Sequence, residues 1–374
     1  MRGKILAALL LMGAAACGDT GTNTGGEGEG QTGVNGGNGQ AGGVSGVNPT
    51  AARASSAARD CPQRCAFPIA EKAGQPAAQE AASITEDAGV LLLGGAAPVR
   101  WNLSMGSRAL RVPAGYSAAV AKTQNGWGQV AGYAFGASNA ATVWEPDGSP
   151  IVLSDRPYGP PLIGEARAIN DNSVIVGVSG DRAFRTHYKE GFRWLAGPGS
   201  EAADVNFKGE VVGYTTVNGV KRATLWAPDG TPTDLGILPG EYNNSVAVAI
   251  SETGIVVGYS SNSFAKQGQF GGFIWTREEG LKALPQYFLP ADVNHWGEVA
   301  GKNYFFGRCA VYYKGYGVLD LPRLTTSRLG CEATSINSWG DVAGYELVES
   351  ADGRRTHGMP IVWTWGGNEN RYGF

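Results

Sequence analysis

The chain has 374 residues, a mass of 38.9 kDa and a net charge of −3, with only 17% charged residues. This balance argues against a nucleic-acid-binding protein, which needs a basic surface to neutralise phosphates. The 58 glycines are about twice the usual share of about 7%. No run of about 20 apolar residues occurs, so no membrane-spanning helix is expected.

Residues 1–16 are predicted to be an export signal peptide, because Arg2 and Lys4 precede a short apolar stretch and then small residues. Cys17 follows directly, and the segment resembles a bacterial lipoprotein signal, in which that cysteine is lipidated and becomes the new N-terminus. The small residues before it also suit the ordinary signal peptidase. Asp19 is not directly beside the cysteine, which favours the outer membrane, on either its periplasmic or its outer side.

Residues 17–60 are predicted to be the lipidated cysteine followed by a disordered, glycine-rich tether. Thirteen glycines fall between residues 18 and 46. Such a segment cannot bury enough apolar area to offset the entropy lost on ordering. Its root-mean-square reach is roughly 35–40 Å, at about 5–6 Å per square root of the residue number. It would hold a domain at residues 61–374 just clear of a membrane.

That domain is organised by a repeat with the pattern Asn-x-x-Gly, two apolar residues and a further Gly, as in residues 206–213. Asn at the first position and Gly at the fourth are typical of a tight turn between two strands. The mean spacing of about 42 residues lies in the range of propeller blades. Seven copies begin at positions 87, 125, 170, 206, 251, 294 and 337.

Each repeat predicts four short strands. The fourth strand is severely shortened in repeat three, at residues 195–199, and is missing after the last repeat. Residues 65–70 are a candidate to supply it and close a ring, which would remove exposed edge strands. The prediction is therefore an all-β propeller of seven four-stranded blades, with six or eight as alternatives. The third strands end in aromatic residues expected to pack between sheets: Trp101, Trp144, Trp194, Trp226, Trp275, Tyr312 and Trp363.

The repeat resembles that of the HAF family of exported bacterial proteins, which is named for a His-Ala-Phe tripeptide. The best-matching segments are residues 234–240, 244–251, 254–260 and 272–275, and the resemblance covers residues of about 80–365. The tripeptide is absent, with Gly272-Phe273 standing near its place. The resemblance implies an extracytoplasmic repeat protein and brings no established activity with it.

Four cysteines besides Cys17 fit an oxidising compartment, because an even number in an exported protein suggests two disulfides. Of the three pairings, Cys61–Cys65 and Cys309–Cys331 are favoured, and the second would join repeats six and seven. A zinc site with four cysteine ligands is the alternative. It needs short spacings at both ends, whereas Cys309 and Cys331 are 22 residues apart.

Three tryptophans occupy the same turn position, two residues after the Asn: Trp127, Trp296 and Trp339. In a propeller these turns share one face, and repeats two, six and seven form an arc once the ring closes through repeat one. An arc of exposed indoles predicts a platform for sugar rings or a partner protein. The alternative is that each indole folds back onto the adjacent blade.

A rival binding surface lies on the opposite face of the predicted propeller. It consists of two long loops, one at residues 260–271 and one that carries Arg354, Arg355 and His357. Long loops on a rigid scaffold often carry function.

Asp204 and Asp292 share the position two before the Asn, and both are candidates to face the channel. Paired carboxylates can perform acid–base chemistry or bind calcium; the alternative is a local hydrogen bond to a neighbouring turn. The three histidines lie in different repeats, lack the spacing of metal ligands and are expected at the surface. With no nucleophile elbow, phosphate loop or dinucleotide fingerprint, no catalytic residue, metal or cofactor is assigned.

The sequence thus predicts an exported outer-membrane lipoprotein whose propeller is a non-catalytic binding or scaffold module, with a polysaccharide or a cell-envelope protein as its partner. Two rivals stay open. One is a carbohydrate-active hydrolase or lyase on the same scaffold, and the other is a purely structural surface protein.

Overall fold

The structure is a computed structural model, and its strands form seven blades around a central axis. It describes residues 16–17, 64–70, 73–74, 78, 80–94, 97–187, 190–262, 270–327, 329–349, 356–365 and 369–372. The predicted tether, Cys61, Arg354 and Arg355 lie outside these ranges, and of the predicted signal peptide only Ala16 lies inside them.

Each blade is an antiparallel sheet, and in blades one to six the strands follow chain order from the axis outwards. The first strands are β3 (Glu80–Ile84), β7 (Ala118–Gln124), β11 (Gly164–Ile169), β15 (Ser200–Val205), β19 (Asn244–Ile250), β23 (Phe288–Val293) and β27 (Cys331–Ile336). The second strands are β4 (Val90–Leu93), β8 (Val130–Phe135), β12 (Ile175–Ser179), β16 (Val211–Val217), β20 (Val256–Ser261), β24 (Val299–Asn303) and β28 (Val342–Glu349). The third strands are β5 (Val99–Asn102), β9 (Ala140–Trp144), β13 (Arg182–His187), β17 (Val220–Trp226), β21 (Phe270–Thr276), β25 (Arg308–Tyr313) and β29 (Thr356–Trp365). The fourth strands of blades one to six are β6 (Gly106–Ala109), β10 (Pro150–Val152), β14 (Gly191–Pro198), β18 (Pro232–Gly236), β22 (Gly280–Ala283) and β26 (Gly317–Asp320).

The ring closes as the sequence predicts, by a strand from before the first repeat. Strand β2 (Arg64–Pro68) pairs antiparallel with β29 and is the fourth strand of blade seven. The first strands of blades seven and one, β27 and β3, contact each other as the other neighbours do. The prediction of seven four-stranded blades is therefore confirmed.

Two short elements complete the described chain. Strand β1 (Ala16–Cys17) pairs with the outer edge of β2, so that Cys17 lies opposite Cys65 and blade seven gains a fifth strand. A single turn of 3-10 helix, η1 (Glu369–Tyr372), follows β29. Within the described residues, no helix has the length and apolar character required to cross a membrane.

Every first strand carries a β-bulge at the same place, two or three residues before the turn; in blade four the register shifts between Ala202 and Asp204. The bulge pushes a backbone carbonyl toward the second strand. A Cβ on Gly213 would lie 2.0 Å from the carbonyl oxygen of Glu201, and five other blades show the same contact. In these six blades the second glycine of the repeat is required because no side chain fits beside the bulge, whereas in blade one Leu92 occupies the equivalent position.

The turn asparagines connect each blade to the next. Asn206 accepts the N–H of Glu210 at Oδ1 (3.0 Å), which holds its own turn, and donates from Nδ2 to the carbonyl oxygen of Ser251 in the next blade (3.3 Å). Five blades make this pair of bonds, and all five asparagines are buried. The donors to the next blade are Asn125, Asn170, Asn206, Asn294 and Asn337.

Apolar side chains from facing sheets fill the spaces between blades. Trp144, Trp226 and Trp363, at the ends of third strands, are almost fully buried. Trp144 packs with Leu91 and Leu110 of blade one. These tryptophans therefore act as the packing residues that the repeat predicted.

Two details of the predicted repeats are wrong. In blade three the chain turns at Gly191, whose φ is +80°, so Trp194 lies on the fourth strand and not at the end of the third. That strand, β14, has eight residues and is not shortened. In repeat one the turn begins at Thr85 rather than at position 87, and Ala88 (φ +62°) stands where other repeats have glycine.

The structure contains the predicted disulfide between Cys309 on β25 and Cys331 on β27, which joins blades six and seven. A crosslink of this kind contributes typically about 2–4 kcal/mol. Cys65 is buried on β2. The predicted Cys61–Cys65 pair lies outside the described residues, because Cys61 does.

Substitution of Asn337 tests the connection that closes the ring. Asn337→Ala removes the donor to the Thr85 carbonyl and the acceptor of the Asp341 N–H. We expect the free energy of unfolding to fall by about 1–3 kcal/mol, since buried polar groups are left unpaired. Thermal and urea unfolding, monitored by circular dichroism, would measure the change.

The matched variant is Ser251→Asn, which supplies an amide at a turn that has none. We expect it to leave stability unchanged or to raise it by up to about 1 kcal/mol. Parent-like stability of Asn337→Ala would contradict the role assigned to the asparagines.

Candidate functional site

The propeller presents two different faces. All first strands run toward the turns that begin at Thr85, Asn125 and their equivalents, and these turns form what we call the turn face. The opposite side, where first strands begin and where second and third strands connect, is the mouth face. Blades six, seven, one and two are consecutive in the closed ring, so the turns with Trp127, Trp296 and Trp339 share one arc as predicted.

The three turn tryptophans keep much of their surface in solvent. Trp127 is 71% exposed, Trp296 43% and Trp339 44%. The indole Nε1 of Trp127 donates to the carbonyl oxygen of Asp171 (2.9 Å), and that of Trp296 to the carbonyl oxygen of Ser338 (3.0 Å). Each of these two rings is thus hydrogen-bonded to the next blade, while much of its surface stays exposed to solvent. The structure therefore combines the two predicted alternatives, an exposed indole and an indole held against the adjacent blade.

The three rings are not equivalent. The guanidinium of Arg371 lies 4.6 Å from the ring centroid of Trp339 and covers it. The ring of His295 lies 4.2 Å from that of Trp296. Trp127 has the largest exposed fraction of the three, so it offers the most surface to a ligand.

A cavity of about 680 Å³ opens beside Trp127, between blades two, three and four. Trp127 and Phe207 provide its aromatic walls. Its charged lining residues, of both signs, are Arg185, Lys208, Glu145, Asp171 and Glu190. Arg185 is buried and donates from Nη1 to Glu190 Oε2 (2.6 Å), and this bond lowers the pKa of the Glu190 carboxyl. The cavity therefore has a polar floor beside an aromatic wall.

The histidines occupy separate blades. His187 lines the same cavity but is buried, so the expectation that it lies at the surface is wrong; its Nδ1 accepts the N–H of Glu190 (3.2 Å). His295 shares a hydrogen bond with Ser338 (2.7 Å). No group of three or more His, Cys, Asp or Glu in the described part of the chain is placed to hold a metal ion.

The rival loop surface is described only in part. His357 lies on β29, is exposed, and pairs with Val348 in the hairpin of blade seven. Arg354 and Arg355 precede the described part of that strand, and residues 263–269 of the other loop are also outside the described ranges. The grouping of these residues stays a prediction.

Asp204 and Asp292 lie at the bulges of blades four and six and bridge neighbouring blades. Asp204 accepts the N–H of Val205 (2.8 Å) and of Ile250 in blade five (2.9 Å). Asp292 does the same with Val293 and with Ile336 in blade seven, at 2.8 Å each. Backbone N–H groups of the first strands thus occupy the oxygens of both aspartates. This arrangement resembles the alternative to acid–base chemistry, which was a local hydrogen bond to a neighbouring turn.

Burial raises the pKa of both carboxyls, and for Asp292 the negative charge of Asp204 adds to the effect and brings the pKa to about 7. A group whose pKa is higher in the folded state favours folding when it is protonated. Its contribution is complete below its ordinary pKa of 3.8 and is lost as the pH rises to about 7.

We therefore expect the free energy of unfolding to fall between pH 4 and pH 7, by up to about 1.4 kcal/mol per unit from Asp292. Asp292→Ser is the matched variant, because Ser335 occupies the equivalent position and accepts the N–H of Ile84 through Oγ (3.4 Å). Urea unfolding across this range should show a shallower pH dependence in the variant. Identical profiles for the two proteins would contradict the assignment.

A second cavity, of about 500 Å³, lies on the mouth face and is lined by blades two to five. We call it the mouth cavity. Arg167 Nη1 donates to Glu201 Oε2 (2.6 Å), and Lys122 Nζ lies 3.9 Å from Glu165 Oε2. The lining is completed by Tyr214, Lys221, Tyr259, Ala203, Val246, Ala247 and Val248.

Sequence reasoning missed the mouth cavity, although a signal was present. With the first turn placed at Thr85, four repeats carry glutamate five residues before the turn, and two of these residues line the cavity: Glu165 and Glu201 do, and Glu80 and Glu332 do not. This carboxylate is a weaker signal than the turns and the third-strand aromatic residues, because it recurs in only four copies. Its meaning also depends on the packing of neighbouring blades, which places side chains from blades two to five around one space.

The fold defines the class of protein as a seven-bladed β-propeller. No family model and no curated protein matches the sequence. Among solved structures, a streptogramin B lyase has a TM-score of 0.52 and 12% identity over 77% of this chain and 94% of that one. A virginiamycin B lyase from Staphylococcus aureus has a TM-score of 0.53 and 10% identity, over 80% and 98%. An oligogalacturonate lyase in complex with manganese has a TM-score of 0.54 and 8% identity, over 81% and 94%. At these identities the likeness establishes the fold alone.

Proposed function

We propose that this chain is an exported cell-envelope lipoprotein whose propeller binds a polysaccharide through the turn face without catalysing a reaction. The observation that carries the proposal is the exposed indole of Trp127 at the edge of the cavity on that face. A cell-envelope protein on the same surface is the alternative partner.

The geometry around Trp127 favours a sugar. The bond from Nε1 to the Asp171 carbonyl fixes the orientation of the ring before any ligand arrives. Because the ring is already ordered in the free protein, ligand binding does not have to offset the entropy cost of ordering it. A fixed, flat apolar surface beside charged hydrogen-bonding groups suits a pyranose ring, which has an apolar face and a polar edge.

We propose that the propeller is not catalytic because the carboxylates of Asp204 and Asp292 are both held by backbone hydrogen bonds. Both oxygens of Asp204 and both of Asp292 accept backbone N–H groups. A carboxylate held in this way connects blades and is poorly placed to exchange protons with a substrate.

Export is proposed from the N-terminal sequence, with its charged start, short apolar stretch and Cys17. The disulfide between Cys309 and Cys331 supports it, because such bonds form and persist in oxidising compartments. A lipidated Cys17 would anchor the protein to the membrane, since more than one acyl chain gives stable attachment.

Affinity electrophoresis of the full chain through gels that contain different polysaccharides tests the binding function. We expect at least one polysaccharide to retard the parent, and Trp127→Ala to lower its affinity about tenfold or more, because the stacking surface is lost. Trp127→Phe keeps an aromatic face but loses the Nε1 donor that fixes the ring, so its affinity should lie between those of the parent and Trp127→Ala.

Phe135→Ala serves as the control, since it removes an exposed aromatic ring from the end of β8 on the mouth face. Retardation of Trp127→Ala equal to that of the parent would contradict the assigned surface. A protein that migrates freely through every polysaccharide would redirect the proposal to a protein partner.

A substitution at Cys17 tests the anchor. We expect Cys17→Ser, expressed in a Gram-negative host, to move from the membrane fraction to the soluble envelope fraction, because the lipid attachment site is removed. Immunoblots of fractionated cells would measure the distribution, with the Cys65→Ser variant as the control for loss of a cysteine. Membrane association of the Cys17→Ser protein would contradict a lipid anchor.

A further inference from the structure

We propose that the mouth face holds a second ligand site, separate from the turn face, for an acidic oligosaccharide. The site consists of the mouth cavity and an adjoining series of aromatic rings on blades five and six. We call this series the aromatic track. Its members are Tyr259, Phe270, Tyr287, Tyr304, Phe305 and Phe306.

The charge of the mouth cavity favours an anion. Lys122, Arg167 and Lys221 outnumber Glu165 and Glu201 by one. The Nζ of Lys221 lies 4.1 Å from the ring centroid of Tyr214, and it forms no ion pair with a carboxylate of the described residues. One carboxylate of a ligand would therefore meet a cation that no carboxylate of the described residues neutralises.

The remaining groups suit hydroxyls. Glu201 can accept hydrogen bonds from sugar hydroxyls, and the hydroxyls of Tyr214 and Tyr259 can donate or accept them. Burial raises the pKa of both tyrosines, with nearby Glu201 adding to the effect, so both hydroxyls stay protonated at neutral pH. A hydroxyl-rich ligand thus finds donors and acceptors together.

The aromatic track leads outward from the cavity. Tyr259 lines the cavity and lies 5.7 Å, between ring centroids, from Phe270. Further centroid distances along the track are 6.4 Å from Phe270 to Tyr304 and 5.6 Å from Tyr304 to Tyr287. At its far end Phe305 and Phe306 are 66% and 64% exposed. Neighbouring rings from Tyr259 to Tyr287 are inclined to one another by 77° to 82°, so a saccharide chain that follows the series would meet ring faces and ring edges in turn.

Backbone strain marks one member of the track. Tyr287 has a φ of +66°, a conformation that favours glycine. Gly199 and Gly330 occupy the equivalent position, seven residues before the turn, in blades four and seven, with φ of +77° and +102°. A tyrosine at a glycine position costs free energy, and such strain tends to persist at functional sites.

The outer end of the track is held in place by covalent structure. Phe305 and Phe306 lie on the hairpin between β24 and β25, and Cys309 at its base is joined to Cys331 of blade seven. The disulfide limits the movement of the hairpin, so less entropy is lost when a ligand orders it.

Calorimetric titration of the full chain with an alginate hexasaccharide, a chain of uronate sugars, tests the site. A neutral cellohexaose is the matched ligand. We expect the acidic probe to bind more tightly than the neutral one, and Lys221→Gln to weaken its binding about tenfold or more through loss of the charge. Lys282→Gln, which changes an exposed lysine on the fourth strand of blade five, should bind as the parent does.

The track is tested by Tyr287→Gly. Relief of the strained φ opposes the loss of ring contacts, so we expect the melting temperature to change by only a few degrees while binding of the hexasaccharide weakens about fivefold or more. Tyr316→Ala removes an exposed ring on the turn face and should leave binding unchanged.

The outcomes separate this site from the proposed function. Trp127→Ala should leave binding of the hexasaccharide unchanged, and loss of binding in that variant would place the ligand on the turn face and overturn the second site. Equal affinity of parent and Lys221→Gln, or no measurable binding of the acidic probe at millimolar concentration, would overturn it as well.

Discussion

The side-chain amide of the turn asparagine is the interaction on which the rest of this propeller depends. One oxygen holds the turn of its own blade, and one N–H reaches the equivalent carbonyl of the next blade, as Asn206 does toward Glu210 and Ser251. The same residue therefore shapes a hairpin and sets the angle between neighbours. Because the bond is repeated in five blades, small contributions add up to a closed ring.

The bulge in each first strand is the second feature that the blades share, including the two whose turns begin with Thr85 and Ser251. In six blades it requires a glycine on the second strand, and in blades four and six it is followed by Asp204 and Asp292, which accept N–H groups of the next blade. Where the residue after the bulge is an aspartate, the connection between blades becomes sensitive to pH. The hydrogen bonds between these blades therefore depend on whether Asp204 and Asp292 are protonated.

The two faces of the ring differ because their connections differ. The turn face is built from short turns that are fixed by the asparagines, and its exposed indoles are therefore rigid. The mouth face carries longer hairpins and the starts of the first strands, where Glu201 and Lys221 of blade four meet Tyr259 of blade five. The disulfide from Cys309 to Cys331 and the pairing of β2 with β29 stabilise the blades next to the point of closure.

The sequence by itself determined the blade number, the turn positions, the closing strand and the Cys309–Cys331 pair. Turn chemistry is local, and Asn and Gly at fixed offsets report it directly. The sequence misled at two places where the pattern is degraded. In the turn that begins at Thr85, Ala88 takes the conformation that glycine has elsewhere, and before Trp194 the chain has already reversed at Gly191. Only the tertiary structure decided that Trp127 keeps an open ring while Arg371 covers Trp339, and that Lys122, Arg167, Lys221 and Tyr259 surround one cavity. These contacts join residues that are far apart in the sequence, and the packing of the blades side by side, which no local pattern encodes, brings them together.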